Sequence, residues 1–305
     1  MKTSTMEGKQ PAIGFIGLGI MGLPMAGHLL RAGYRLFVHT RTAAKAGPVL
    51  DAGGVWCETP AEVGRESELL ITIVTDTPDV EAVLFGEDGA AATLARETCV
   101  VDMSTISPPA TRRFAKTLLE RKITLLDAPV TGGDVGARNA TLTIMVGGPR
   151  AAFERVRPVL DVLGKRIVHV GPSGSGQMLK ACNQILCAVN MIAVCEALTL
   201  AKRSGLDMRT AIETLGGGAG GSWALTNLGS KIAERDLEPA FMIKLIQKDL
   251  RIVQEAAREL GVALPGTALS QQLFRAVEAE PDGGELGTQA MIKAIEKLAG
   301  STDAG

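Results

Sequence analysis

Paired cysteines, clustered histidines, runs of like charge and a long unbroken apolar span are all missing from this sequence. Its five cysteines (Cys57, Cys99, Cys182, Cys187 and Cys195) include no C-x-x-C pair, and three share one apolar stretch. Reduced core thiols are expected, rather than disulfides or ligands. The three histidines, His28, His39 and His169, are scattered, so no metal site is expected. Lys and Arg number 32 against 33 Asp and Glu, a formal net charge of -1. No footprint for nucleic acid or for an acidic membrane surface results, and the expected partner is a small molecule. Residues 1–10 are polar, with no signal-like apolar stretch behind a basic start. A flexible leader before a cytoplasmic protein is the expectation. The longest apolar region, residues 181–201, is interrupted by Asn183, Gln184, Asn190 and Glu196. A buried helix of a soluble protein fits it better than a membrane span.

What is present is enough apolar material for two cores: 305 residues, 46% hydrophobic. Short apolar runs at 12–16, 36–38, 69–74, 99–102 and 123–126 read as strands, mostly separated by helix-compatible segments, and two more follow at 142–146 and 167–170. That alternation indicates an open, largely parallel sheet covered by helices. From residue 177 the pattern is helical, with a first helix to residue 204 that would span roughly 40 Å at the usual rise. Helices at 208–215, 225–235, 241–260, 266–279 and 287–298 complete an all-α part. The expected division is an α/β Rossmann-type domain over 11–173 and an all-α domain over 174–305, joined through the long helix.

Gly17-Leu18-Gly19-Ile20-Met21-Gly22 is a G-x-G-x-x-G directly after a strand and opening a helix. Gly17 suits the tight turn, Gly19 the approach of a pyrophosphate and Gly22 the packing of helix on strand, with the helix N-terminus favouring the anion. A dinucleotide is therefore expected. Where the second strand ends, an acidic residue would hold the ribose hydroxyls of NAD. Here that place reads His39-Thr40-Arg41-Thr42, which offers a guanidinium and two hydroxyls to a 2′-phosphate. NADP is the expected cofactor, with NAD possible.

Asp127-Ala128-Pro129-Val130-Thr131-Gly132-Gly133 lies at the end of the fifth strand, the edge where open α/β sheets bind ligands. Its two glycines can expose backbone N–H groups to a carboxylate, although the segment alone reads equally as a plain turn. The long helix opens Gly174-Ser175-Gly176-Gln177-Met178-Leu179-Lys180, then Asn183-Gln184. Positions 180, 183 and 184 share a helical face, so Lys180 and Asn183 could point together into a cleft between the domains. A lysine in an apolar helix is costly to bury without a task or a partner, the alternative being a snorkelling structural lysine. Lys244 and Lys248 are a turn apart and read by themselves as a basic solvated face. Trp223 walls a pocket or fills the core.

Together these segments resemble the β-hydroxyacid dehydrogenase family, which includes 3-hydroxyisobutyrate dehydrogenase and the tartronate, glyoxylate and succinic semialdehyde reductases. Four motifs occur in the family's order over residues 13–299: the glycine turn, residues 127–133, Gly174-Ser175-Gly176 with Lys180 and Asn183-Gln184, and Lys248-Asp249. The resemblance implies a Rossmann domain, a long helix and an all-α domain, assembled as a homodimer or homotetramer. It implies hydride transfer between NADP(H) and a small β-hydroxy acid or its semialdehyde. Lys180 then corresponds to the catalytic lysine, Asn183 to a substrate hydrogen-bonding residue, and Thr131-Gly132-Gly133 to the carboxylate grip. Ser104-Thr105 resembles the segment close to the nicotinamide. Val74 and Thr75, Thr105 and Lys248 join the expected cofactor set, and Phe241 and Asp249 the substrate side. The family usually has Ser where this chain has Thr131, so its pocket is expected to be tighter by a methyl group.

Oxidative decarboxylation of the 6-phosphogluconate kind would call for a His-Asn pair after the lysine, whereas Asn183-Gln184 stand here. Imine reductases generally lack this lysine. A non-catalytic relative keeping the fold as an oligomerisation module is the reading of a different class, and Lys180 counts against it.

Overall fold

A computed structural model describes residues 10–300. The leader expected at residues 1–10 therefore lies outside the described residues, apart from Gln10. Contacts divide the chain into two compact units that change over between Lys180 and Ala181.

The first unit is built on β1 (Ile13–Ile16), β2 (Leu36–His39), β3 (Val55–Trp56), β4 (Leu69–Thr72), β5 (Cys99–Asp102), β6 (Thr124–Asp127), β7 (Val130–Thr131), β8 (Leu142–Gly147) and β9 (Gly164–Gly171). They form one sheet in the order β3-β2-β1-β4-β5-β6-β8-β7, with β9 also on β8. Strands β3 through β6 along that order are parallel, β8 runs antiparallel to β6 and β7, and β9 is parallel to β8. Alternate side chains bury opposite faces. Phe15, Val38, Ile71 and Val101 belong to one core, and Ile16, Phe37, Leu70 and Val100 to the other. A strand buried on both faces reads as a continuous apolar run, which is why these strands were legible as runs rather than as alternations.

The helices of this unit are α1 (Gly22–Arg31), α2 (Gly47–Asp51), α3 (Pro60–Glu66), α4 (Thr77–Phe85), α5 (Pro108–Glu120), α6 (Gly133–Arg138) and α7 (Arg150–Leu160). Their starts follow local chemistry. Thr59 caps α3 before Pro60, Asp76 and Asp79 form a reciprocal capping box on α4, and Ser107 caps α5 before Pro108. Two strands were not foreseen from the sequence. Each has only two residues, and Val55 of β3 is half exposed at the sheet's edge, so neither carries a periodic signal.

Helix α8 (Ser175–Arg203) begins in the first unit and continues through the second. By length and composition it is apolar enough to cross a membrane, with half of its most apolar stretch buried within the chain. Gln177, Gln184 and Thr199 are among its buried side chains. The second unit adds α9 (Met208–Gly216), α10 (Trp223–Ala233), α11 (Ile243–Leu260), α12 (Pro265–Glu278) and α13 (Met291–Leu298). They enclose a core that includes Met191, Leu198, Leu225, Ile246, Leu250, Phe274 and Ile292. Gly261, in the left-handed conformation, ends α11.

Two expectations require correction. Cys57, Cys99 and Cys195 are buried free thiols, but Cys182 and Cys187 are exposed on α8. Trp223, at the start of α10, is 64% exposed and does not fill the core.

Candidate active site

The glycine turn has the geometry that its spacing implied. Gly17 has φ +107°, and a Cβ there would stand 2.1 Å from the carbonyl oxygen of Ile73. A Cβ on Gly22 would stand 1.9 Å from the carbonyl oxygen of Gly17. Around Gly19, by contrast, an added Cβ would meet nothing within 4 Å. Two glycines let the chain close on itself and the third leaves an open approach to the start of α1, where a pyrophosphate can meet backbone N–H groups. Those residues fit a bound dinucleotide. Ile20 is largely exposed beside this opening, Leu18 is buried and Met21 is half-buried.

Thr40, at the end of β2, is buried, and its Oγ1 accepts the Leu18 N–H at 3.3 Å. Its hydroxyl oxygen ties the glycine turn to β2 and keeps its proton to donate. Arg41 and Thr42 are exposed, and Arg41 makes no hydrogen bond or ion pair among the described residues. His39 is held by its Nδ1 contact with the Cys57 carbonyl and stacks on Trp56.

At the ends of β4, β5 and β6 lies a buried polar network. Asp102 Oδ1 accepts from the Thr72 hydroxyl at 2.9 Å and from the Ser104 N–H at 3.2 Å. Burial pushes its carboxyl up to about 6, with a smaller push from Asp127, against the opposing pull of those hydrogen bonds. Ser104 Oγ accepts the Val74 N–H at 2.9 Å. Asp127 receives the N–H of Gly174 on Oδ1 at 2.8 Å and that of Gln177 on Oδ2 at 3.0 Å. A strand-end carboxylate thus caps α8 from about fifty positions earlier in the chain, and burial holds it above its ordinary range despite those bonds. Gly176 makes the approach possible, since a Cβ there would stand 2.4 Å from the Met145 carbonyl oxygen.

Lys180 follows one turn along α8 and is 8% exposed. In the second unit, Asn183 Nδ2 donates to Gln184 Oε1 at 2.7 Å, and Gln184 Nε2 donates to Asp249 Oδ2 at 2.5 Å. Lys248 Nζ stands 2.7 Å from Asp249 Oδ1, an ion pair between neighbours on α11 in which the lysine side chain is 13% exposed. The solvated-face reading of Lys248 therefore does not hold. Phe241, just before α11, packs against that unit's core. Thr131 ends β7, and Gly132 and Gly133 follow at φ +127° and +62°, both exposed. Nothing lies within 4 Å of a Cβ added to Gly133, so its backbone is open to a ligand.

Both parts of the chain match known protein families. Residues 12–171 match the family described as the NAD-binding domain of 6-phosphogluconate dehydrogenase, and residues 174–295 the family described as NAD-binding of NADP-dependent 3-hydroxyisobutyrate dehydrogenase. The 2-hydroxy-3-oxopropionate reductase of Escherichia coli is 45% identical, over 94% of this chain and 98% of its own length. The chain belongs to the β-hydroxyacid dehydrogenase family. A second relative of this β-hydroxyacid dehydrogenase is 2-(hydroxymethyl)glutarate dehydrogenase of Eubacterium barkeri, 39% identical over 97% of this chain and 99% of its own. The solved 3-hydroxyisobutyrate dehydrogenase of Mycobacterium tuberculosis, with L-serine, superposes with a TM-score of 0.86 at 30% identity, covering 94% of this chain and 99% of that one.

As a β-hydroxyacid dehydrogenase, the chain is an NAD(P)-dependent oxidoreductase with a Rossmann-type sheet followed by a helical part. Within the first unit the structure ties Leu18 to Thr40 and Val74 to Ser104, the residue before Thr105. Within the second it ties Asn183 through Gln184 to Asp249 and Lys248. Sequence reasoning left Asp102, Gln177 and Gln184 without roles, and gave Asp127 none beyond its motif. The one available signal for Gln177 was a polar residue three positions before Lys180, on the same helical face.

Proposed function

We propose that this β-hydroxyacid dehydrogenase interconverts a three- or four-carbon β-hydroxy acid and its semialdehyde with NADP(H), Lys180 serving as the acid/base residue. The observation that carries the reading is a lysine buried in the first turns of α8, whose start is fastened to the same strand ends that carry the segments assigned to the cofactor. Burying a lysine costs free energy that its surroundings must offset, which makes it a rare choice for a helix interior.

NADP(H), when bound, supplies or takes up the hydride. In reduction, Lys180 Nζ as ammonium donates a proton to the substrate oxygen as that oxygen gains charge. In oxidation, the neutral amine removes the hydroxyl proton, so one side chain serves both directions. Asn183 orients the substrate oxygen without competing for the proton. The open backbone at Gly132 and Gly133, with the Thr131 hydroxyl, grips the carboxylate. Arg41 and the absence of a carboxylate at residues 39–42 favour the 2′-phosphate of NADP. Lys248 belongs to the cofactor side, and Phe241 and Asp249 to the substrate side. The same reading makes the protein a cytoplasmic homo-oligomer.

Tartronate semialdehyde, which is 2-hydroxy-3-oxopropionate, heads the substrate panel because the name of the E. coli relative points to it. Glyoxylate, succinic semialdehyde and methylmalonate semialdehyde complete the panel, with the corresponding alcohols run in reverse. Turnover with tartronate or methylmalonate semialdehyde is expected, and the other two mark the limits of the class, since glyoxylate has two carbons and succinic semialdehyde yields a γ-hydroxy acid. Failure on all of them, with both cofactors, would remove the substrate class.

A further inference from the structure

Gln177 spans a single residue of the neighbouring segment. Its Oε1 accepts the Ile106 N–H at 3.1 Å, and its Nε2 donates to the Ser104 carbonyl at 2.7 Å. The side-chain amide thereby completes both backbone groups that flank Thr105, as another strand would, and every group involved is buried: Gln177 is 1% exposed, Ser104 2% and Ile106 1%. The backbone N–H of Gln177 is held in turn by Asp127 Oδ2. Lys180 lies three positions further on the same face of α8. Ser104 is itself anchored on two sides, by the Val74 N–H on its Oγ and by Asp102 Oδ1 on its N–H.

We infer that Gln177, anchored by Asp127, is the positioning residue that keeps Lys180 in register with the Ser104–Thr105–Ile106 segment. The inference rests on the acid/base role proposed for Lys180 and on Thr105 lying on the cofactor side. Hydride transfer and proton transfer act on the two ends of one carbonyl bond, so the donors of hydride and proton must keep a fixed separation. Gln177 supplies that link with two bonds to backbone on one side and one helical turn to the lysine on the other. An error of about 1 Å in such a separation costs roughly a hundredfold in rate.

The discriminating experiment is a double-substitution cycle with NADPH and tartronate semialdehyde, read by single-turnover nicotinamide absorbance and by cofactor titration. Gln177→Met, which keeps the volume and removes both polar groups, should lower kcat about 10- to 100-fold while leaving cofactor affinity within about threefold. In a Lys180→Ala background the same substitution should cost less than about twofold, because a residue that acts through the lysine has nothing left to position. Equal losses in both backgrounds would overturn the inference and leave the lysine's role intact. Full turnover by Lys180→Ala would instead remove the acid/base reading and this inference with it. Amide hydrogen exchange over residues 177–180, which needs no substrate, should quicken at least tenfold in Gln177→Met and in Asp127→Asn. Unchanged protection in both variants would overturn the inference whatever the kinetics.

Discussion

Asp102 and Asp127 are register partners at the carboxyl ends of the adjacent parallel strands β5 and β6, and both side chains are buried. Paired positions on neighbouring strands face the same side, so two carboxyl groups share one low-dielectric site. They have been given different work. Asp127 spends both oxygens on the start of α8, whereas Asp102 directs one oxygen to Thr72 and Ser104 and leaves Oδ2 without a partner among the described residues.

The Asp102 carboxyl titrates near 6 in the folded protein against 3.8 ordinarily. Between those values the unfolded chain has released a proton that the folded chain still holds, so this group's contribution to stability falls as pH rises from about 4 to about 6 and is constant above. Asp102→Asn keeps the Oδ1 acceptor and removes the titration. The difference in melting temperature, variant minus wild type, should rise through that window and level off above it. Parallel curves from pH 4 to 7.5 would contradict the assignment. Asp127, raised in the same direction, is common to both proteins.

Two glycines of the cofactor turn should separate folding from binding. Gly22→Ala drives a Cβ to 1.9 Å from the Gly17 carbonyl oxygen and should destabilise the protein by about 1–3 kcal/mol or more, read from denaturant unfolding. Gly19→Ala meets no neighbour within 4 Å, so it should leave the unfolding midpoint nearly unchanged while weakening NADPH binding at least about tenfold. Equal effects of the two substitutions on stability would contradict this division of roles.

Cofactor choice is predicted to depend on Arg41. One charge-assisted contact of about 1.5–3 kcal/mol corresponds to roughly ten- to a hundredfold preference. Arg41→Ala should raise KM for NADPH by that order and leave KM for NADH nearly unchanged. Equal use of both cofactors by the wild type would contradict the prediction.

Leu186, Ala193 and Leu200 recur every seven residues along α8 and are exposed, with Leu186 at 62% and Leu200 at 72%. A seven-residue apolar stripe is the spacing by which helices pack on other helices. Sedimentation at micromolar concentration should give a dimer or larger, and Leu186→Glu with Leu200→Glu should dissociate it. A wild-type monomer would contradict the assembly proposed.

Much of the fold was legible because buried parallel strands and amphipathic helices leave runs and periods in the sequence. The glycine turn was legible because its three positions obey separate steric demands, all met here by Gly17, Gly19 and Gly22. The two-residue strands were not, since two residues have no period. Nor were the bonds of Asp127 and Gln177 to segments 47 to 73 positions away, because contacts between side chain and distant backbone leave no pattern along the chain. Thr40 shows a second case: its pattern in the sequence suggested a phosphate partner, and its hydroxyl oxygen also accepts the Leu18 N–H, a bond no spacing along the chain announces.

The central claim is that Lys180 carries the proton. The direct measurement is kcat of Lys180→Ala beside its affinity for NADPH, with Asn183→Ala alongside. Loss of general acid/base catalysis predicts a fall of about 10²- to 10⁴-fold in kcat for Lys180→Ala and a smaller one for Asn183→Ala, with NADPH affinity retained. Near-normal turnover by Lys180→Ala on the best substrate would contradict the account.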